Sequence, residues 1–406
     1  MSKEKAREEK TMYASQMYEL GAEPNIIRKI FEYSQKRCNE IGEENVFDFC
    51  IGNPNVPTPE GFHKAIRELI SQKNDYFLHG YTSNAGDQET KRAIAADLNT
   101  RYQTSFHEDN FYMTCGATAS LRISVEALCE DGDEFITFTP FFPEYRVFVE
   151  TAGASLVTVE TNPDSFQIDF DNLKPAFSEH TKGIIINSPN NPSGVVFSEK
   201  SIRTLAGILK DKSEEYGHPI FLISDEPYRE LVYDGLKVPF LTKYYDNTLV
   251  CYSFSKCMSI PGERIGYILI PDEVENHKSI HAAICGAGRA LGYVCAPSLM
   301  QHVIAKCAGE VADIELYKKN RDFMYQALTS YGYECIYPNG AFYMFVKAME
   351  EDAAAFCDKA KELELLMVPS DSFGCSGYVR ISYCVPLKRI ERALPAFQAL
   401  AKKYQS

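Results

Sequence analysis

Tryptophan is absent from this chain of 406 residues, and histidine occurs only 8 times. No stretch approaches the roughly 20 consecutive apolar residues that a membrane-spanning helix needs, so no membrane partner is expected. The opening run, MSKEKAREEK, is charged and lacks the apolar core of a secretory signal, so export by that route is not expected. Positive charge is in short supply: 42 basic residues against 56 acidic ones leave a formal net charge of −14. Such a chain repels phosphate backbones, which argues against nucleic acid as a partner. The 13 cysteines include no C-x-x-C pair, and the histidines show no metal-ligand spacing. Neither a metal site nor a disulfide framework has support, and the expectation is free thiols in a reducing, cytoplasmic setting. Internal repeats and low-complexity segments are missing as well.

What is present is the composition of a globular protein, 45% apolar and 24% charged, with ample material for a core. The length exceeds that of a usual single domain, so two lobes are expected. Short apolar runs fall at 110–115, 135–139, 155–161, 183–187, 220–224, 248–253 and 265–270. Several are continuous rather than alternating, which suits strands buried on both faces of a mostly parallel sheet. Helical patterns lie between many of them: Phe62, Ile66, Leu69 and Ile70 share one helix face, as do Ile94, Leu98 and Tyr102. This alternation predicts an α/β three-layer sandwich with a mostly parallel central sheet. Residues 1–45 read as helical and polar. After about residue 300 come a long helical stretch, strand-like pieces at 341–346 and 378–384, and a final helix. The predicted division is a large domain over 46–295 and a smaller α+β lobe built from 1–45 and 296–406.

Four segments carry the chemistry. SFSKCMSIPGERIGY, residues 253–267, puts Ser253, Lys256 and Arg264 where one strand ends and another begins. Ligands of open α/β sheets sit beyond the carboxyl ends of strands. A lysine there can form a Schiff base, and a hydroxyl with a guanidinium can clamp a phosphate. ISDEPYREL, residues 223–231, follows an apolar run with Asp225 and Tyr228. A carboxylate so placed suits a buried cation such as a protonated pyridine nitrogen, and the phenol can donate to a phenolate. NSPNNPSG, residues 187–194, can present the Asn191 amide to a ligand oxygen. TCGATASL, residues 114–121, ends a strand and opens a helix, so the free N–H groups at Gly116, Ala117 and Thr118 can form an anion site. It has no Walker lysine and is not a nucleotide loop. Taken singly, each segment also has an ordinary reading: a solvated basic loop, a capping Asp, an Asn/Pro/Gly turn, a strand-to-helix turn.

In order and spacing the four segments resemble the class I/II aminotransferases, enzymes of the pyridoxal phosphate (PLP) fold type I group. The resemblance extends to GNPN at 52–55, YTSNAG at 81–86, PFFPEY at 140–145, NGAFY at 339–343 and VRIS at 379–382. It implies that Lys256 is the lysine that binds PLP covalently and later shuttles a proton, and that Asp225 pairs with the pyridine nitrogen. Asn191 and Tyr228 then bond the 3-oxygen of the ring. Gly116, Ala117, Thr118, Ser253 and Arg264 form the phosphate cup. Tyr81 matches a tyrosine that, in family dimers, reaches the phosphate of the neighbouring subunit. Phe142 stands where the aspartate branch often has tryptophan; it can stack on the ring but cannot donate a hydrogen bond. Arg380 matches the arginine that grips the substrate α-carboxylate, with Gly52 and Asn191 assisting. A homodimer with shared sites is implied by the same resemblance.

The substrate is less legible. A dicarboxylic amino acid needs a second cation, for which Arg289 in GRALGYVCAP is the best candidate and Arg122 a weaker one. The expectation is transfer from an aspartate- or glutamate-type L-amino acid to a 2-oxo acid such as 2-oxoglutarate. Alternatives are an aromatic or alanine-type aminotransferase, or a lyase acting on carbon–sulfur bonds with the same cofactor. A DNA-binding regulator is disfavoured, because the 45 residues before the core do not form a convincing helix-turn-helix.

Overall fold

In the computed structural model, residues 14–22, 26–72 and 74–405 are described. The helical reading of 1–45 falls partly outside these residues; within them the segment forms helices Ser15–Ala22 and Ile26–Ile41. Among the described residues the strands are, in chain order, β1 Phe47–Asp48, β2 Phe111–Thr114, β3 Glu134–Thr139, β4 Ser155–Glu160, β5 Thr181–Asn187, β6 Phe221–Asp225, β7 Thr248–Ser253, β8 Gly266–Leu269, β9 Tyr343–Lys347, β10 Leu365–Leu366, β11 Val368–Pro369 and β12 Tyr378–Ser382.

Seven of them form one sheet in the order β2-β8-β7-β6-β5-β3-β4. β8 runs antiparallel to both neighbours, and the other pairs are parallel. The strand residues alternate between two apolar layers, as a period of two requires. In β5, Ile184 and Ile186 enter one cluster with Ile202, Leu205 and Leu209 of helix Glu199–Tyr216, while Ile185 enters another. That second cluster holds Leu121, Val125 and Leu128 of helix Ala117–Leu128 and Ile284 of helix His277–Ala290. Helices therefore cover both faces, and the mostly parallel α/β sandwich expected from the pattern is what forms. Truncating a side chain such as Ile185 to alanine would cost about 2–5 kcal/mol.

β11, β12 and β9 form a separate antiparallel sheet, and β1 pairs with β10. One large cluster joins this region to the rest. It includes Phe342, Met344, Ile381 and Phe397, and extends to Val303 and Ile304 of helix Ser298–Cys307. That helix packs on helices Glu60–Ser71 and Gln88–Tyr102. Through this cluster the small sheet adjoins the large one, and Tyr343 of β9 and Arg380 of β12 line one cleft with Asn187, Asp225 and Ser253 at the ends of β5 to β7.

Candidate active site

Because β8 is antiparallel to both β2 and β7, β2 points the same way as the parallel strands. The carboxyl ends of β2, β5, β6 and β7 therefore share one edge of the sheet, with the start of β8. The register aligns Asn187 with Asp225, and sets both Ser253 and Thr114 beside Gly266. Beyond this edge lies a cleft of about 300 Å³. Gly52, Ala117, Thr118, Phe142, Asn191, Asp225, Tyr228, Ser253, Lys256, Arg264 and Arg380, all expected from sequence, line it. Its charged lining is Asp225 against Lys256, Arg264 and Arg380, so a strongly acidic chain holds a cationic cleft. Such a cleft suits an anionic ligand.

One end is a cup for an anion. Gly116 has φ +96°, which favours glycine, and a Cβ there would meet Nη2 of Arg264 at 2.8 Å, so a side chain would push the guanidinium away. Helix Ala117–Leu128 starts immediately after it, and its first-turn N–H groups have no intrahelical acceptor. The helix dipole adds positive potential at the same point. Arg264 donates to the Pro261 carbonyl at 2.9 Å and to Ser255 Oγ at 3.3 Å. Ser255 Oγ lies 2.7 Å from Ser253 Oγ.

In the middle stands Lys256, on the single-turn helix Phe254–Cys257, whose N-cap Ser253 accepts from the Ser255 amide at 3.2 Å. Its ammonium donates to the Gly52 carbonyl at 2.7 Å. Burial lowers its pKa to about 8, and the cations of Arg264 and Arg380 act in the same direction. A lysine so placed reaches its neutral, nucleophilic form far more readily than a solvated one.

Asp225 ends β6 and is buried. Its Oδ2 accepts a 2.6 Å hydrogen bond from the Tyr145 phenol, while Oδ1 is buried with no partner. Burial raises the carboxyl to about 7, against which the Tyr145 hydrogen bond works. A buried carboxylate oxygen left without a donor is costly, and a cationic N–H donor would relieve that cost. Asn187, at the end of β5, donates to the Asp225 carbonyl at 2.8 Å and accepts from the Asn191 amide N–H at 2.7 Å.

At the far end, Arg380 of β12 donates to Asn191 Oδ1 at 2.9 Å and to the Cys50 carbonyl at 2.6 Å. Its Nε is buried and unpartnered. The guanidinium lies between two aromatic faces, 4.6 Å from the Tyr343 centroid and 5.1 Å from that of Phe373. The Tyr228 and Tyr343 hydroxyls are 3.0 Å apart.

Three candidates lie outside this cleft, two of which, Tyr81 and Arg289, were expected to serve the cleft of a second copy. Tyr81 is 92% exposed. Arg289 is exposed near the end of helix His277–Ala290. Arg122 pairs with Glu126 on its own helix and reaches the Thr151 carbonyl, as its helix position allows. Conversely, Tyr145, Asn187, Ser255 and Tyr343 belong to the site without having been singled out from sequence. Tyr145 follows Phe142 by three residues and lies in the first turn of helix Glu144–Glu150.

Residues 44–397 match the family described as aminotransferase class I and II. An aspartate aminotransferase of Thermotoga maritima is 30% identical over 86% of this chain and 90% of its own. A probable aspartate aminotransferase of Methanocaldococcus jannaschii is 29% identical over 91% of this chain and 95% of its own. The crystal structure of an amino transferase from Eubacterium rectale superposes with a TM-score of 0.95 at 57% identity, covering 97% of this chain and 100% of the other.

Proposed function

This chain belongs to the class I and II aminotransferases, PLP-dependent transaminases, and from that premise we propose that it moves the amino group of aspartate or glutamate to a 2-oxo acid such as 2-oxoglutarate. The observation that carries the reading is the convergence of Asp225, Lys256, Arg264 and Arg380 in one cleft. The residues present fit PLP. The unpartnered Oδ1 of Asp225 suits a protonated pyridine nitrogen, and the cup around Gly116 suits a phosphate. Gly116, Ala117, Thr118, Ser253 and Arg264 would hold that phosphate, Phe142 would stack on the ring, and Asn191 with Tyr228 would bond its 3-oxygen. Bound there, the cofactor supplies an electron sink for the pair left when the substrate Cα–H bond breaks.

The rest is work for the chain's own side chains. Arg380 offers its fork to the substrate α-carboxylate, assisted by Gly52 and Asn191. Held so, the Cα–H bond is turned toward Lys256. The Lys256 amine, made less basic by burial, takes the Cα proton and returns it on the other carbon. Asp225 must be ionised to hold the ring nitrogen protonated, which is what the Tyr145 hydrogen bond favours.

The aspartate or glutamate assignment is supported by the names of several relatives and by Arg289. That residue, like Tyr81, is exposed and so available to the cleft of a second copy in a homodimer with shared sites. A cytoplasmic setting is supported by the 13 free thiols. An aromatic or alanine-type activity is the second reading, favoured by the apolar Ile27, Ile51 and Phe142 on the cleft wall. The experiment is a panel of amino donors with 2-oxoglutarate as acceptor, glutamate being assayed with oxaloacetate instead, and PLP supplied. Highest kcat/KM for aspartate or glutamate supports the proposal. A preference for tyrosine, phenylalanine or alanine supports the second reading, and pyruvate released from cysteine conjugates without amino transfer overturns both.

A further inference from the structure

Tyr343 makes three contacts that no other side chain combines among the described cleft residues. Its hydroxyl is 3.0 Å from that of Tyr228. Its ring is the face on which Arg380 lies, at 4.6 Å. Its hydroxyl also packs so closely on Gly52 that a Cβ at that position would overlap it, and Gly52 is the residue whose carbonyl holds Lys256. The side chain is buried at the start of β9, just after Ala341, whose backbone is left-handed at φ +54°. A non-glycine residue in that region marks a turn the surrounding structure enforces.

The direction of the Tyr228–Tyr343 hydrogen bond decides what Tyr228 can do. A phenol has one proton. If Tyr228 gives its proton to Tyr343, it has none for a ligand oxygen. If Tyr343 is the donor, the Tyr228 proton is free to point into the cleft, and its bond to a ligand oxygen is strengthened by the bond it accepts. Burial raises both phenols and the Arg380 cation draws both down, but Arg380 lies over the ring of Tyr343, which favours Tyr343 as the donor. Gly52 closes off the other side of the hydroxyl.

We propose that Tyr343 is a positioning residue: its hydroxyl donates to Tyr228 and aims the Tyr228 proton at the cofactor 3-oxygen, while its ring holds the plane of Arg380. The inference rests on the PLP reading above and assigns the two halves of one side chain to separate tasks.

The test is a double-mutant cycle of Tyr228→Phe and Tyr343→Phe in the PLP-loaded enzyme, with Tyr343→Leu alongside. Tyr343→Phe keeps the ring, so KM for the amino donor should stay within about twofold while kcat falls roughly three- to tenfold, the range for one hydrogen bond. The pH at which the bound cofactor changes its absorbance should rise, because its 3-oxygen loses part of its donor. In the Tyr228→Phe background, Tyr343→Phe should add almost nothing to either reading. Tyr343→Leu should in addition raise KM, through the lost face beneath Arg380. Additive effects in the cycle, or an unmoved absorbance transition in Tyr343→Phe, would overturn the inference while leaving the PLP reading intact. A wild-type enzyme that holds no PLP would sink both.

Discussion

The phenol of Tyr145 donates a 2.6 Å hydrogen bond to Oδ2 of Asp225, and both groups are buried. A hydrogen bond to the ionised form of an acid stabilises that form. Burial pulls Asp225 toward its neutral form, so Tyr145 is the counterweight that keeps a charge available at Oδ1. Tyr145→Phe should therefore lower kcat/KM by roughly 10- to 100-fold, from the 1.5–3 kcal/mol typical of a bond to a charged group. Removing the donor raises the Asp225 pKa further, so the acid limb of the kcat/KM profile should move to higher pH. An unchanged profile would separate Tyr145 from the charge of Asp225.

Lys256 is primed before it meets the cofactor. Its pKa is lowered to about 8 by burial, and only the neutral amine adds to an aldehyde. Below pH 8 the amine is mostly protonated and capture is slow; above it the amine is free. The rate at which cofactor-free protein captures PLP should thus climb through about pH 8 and level off beyond it, as followed by stopped-flow absorbance. A rise that continues to pH 10 would place the lysine in a solvated setting.

Arg289 gives a third expectation, conditional on a second copy. Arg289→Ala should lower kcat/KM for aspartate and glutamate while leaving alanine nearly unchanged, since only a side-chain carboxylate needs the extra cation. Equal losses for all donors would remove Arg289 as a reader of the side chain.

The large sheet was legible from sequence because its strands are continuous apolar runs, such as GIII in β5, which suit burial on both faces. Lys256, Asp225 and Asn191 were legible because each follows such a run, where the fold gathers ligand-binding groups. The two-residue strands β1, β10 and β11 were not, being too short to show any period. Tyr145 was hidden for a different reason. Its contact joins one turn of helix to the end of a strand 80 residues away, and nothing local distinguishes it from a core tyrosine. The pairing of Tyr228 with Tyr343, 115 residues apart, depends in the same way on how β9 meets the edge of the large sheet. Arg380 was found through its motif, yet its partners Asn191 and the Cys50 carbonyl became visible only in three dimensions.

The central claim is that Lys256 is the group to which the cofactor attaches and through which the proton moves. Borohydride reduction of the protein with PLP, followed by peptide mass mapping of wild type and Lys256→Ala, tests it most directly. The pyridoxyl mass should fall on the peptide containing Lys256, and should be lost together with transamination in the variant. A label on another lysine, or amino transfer that survives in Lys256→Ala, would contradict it.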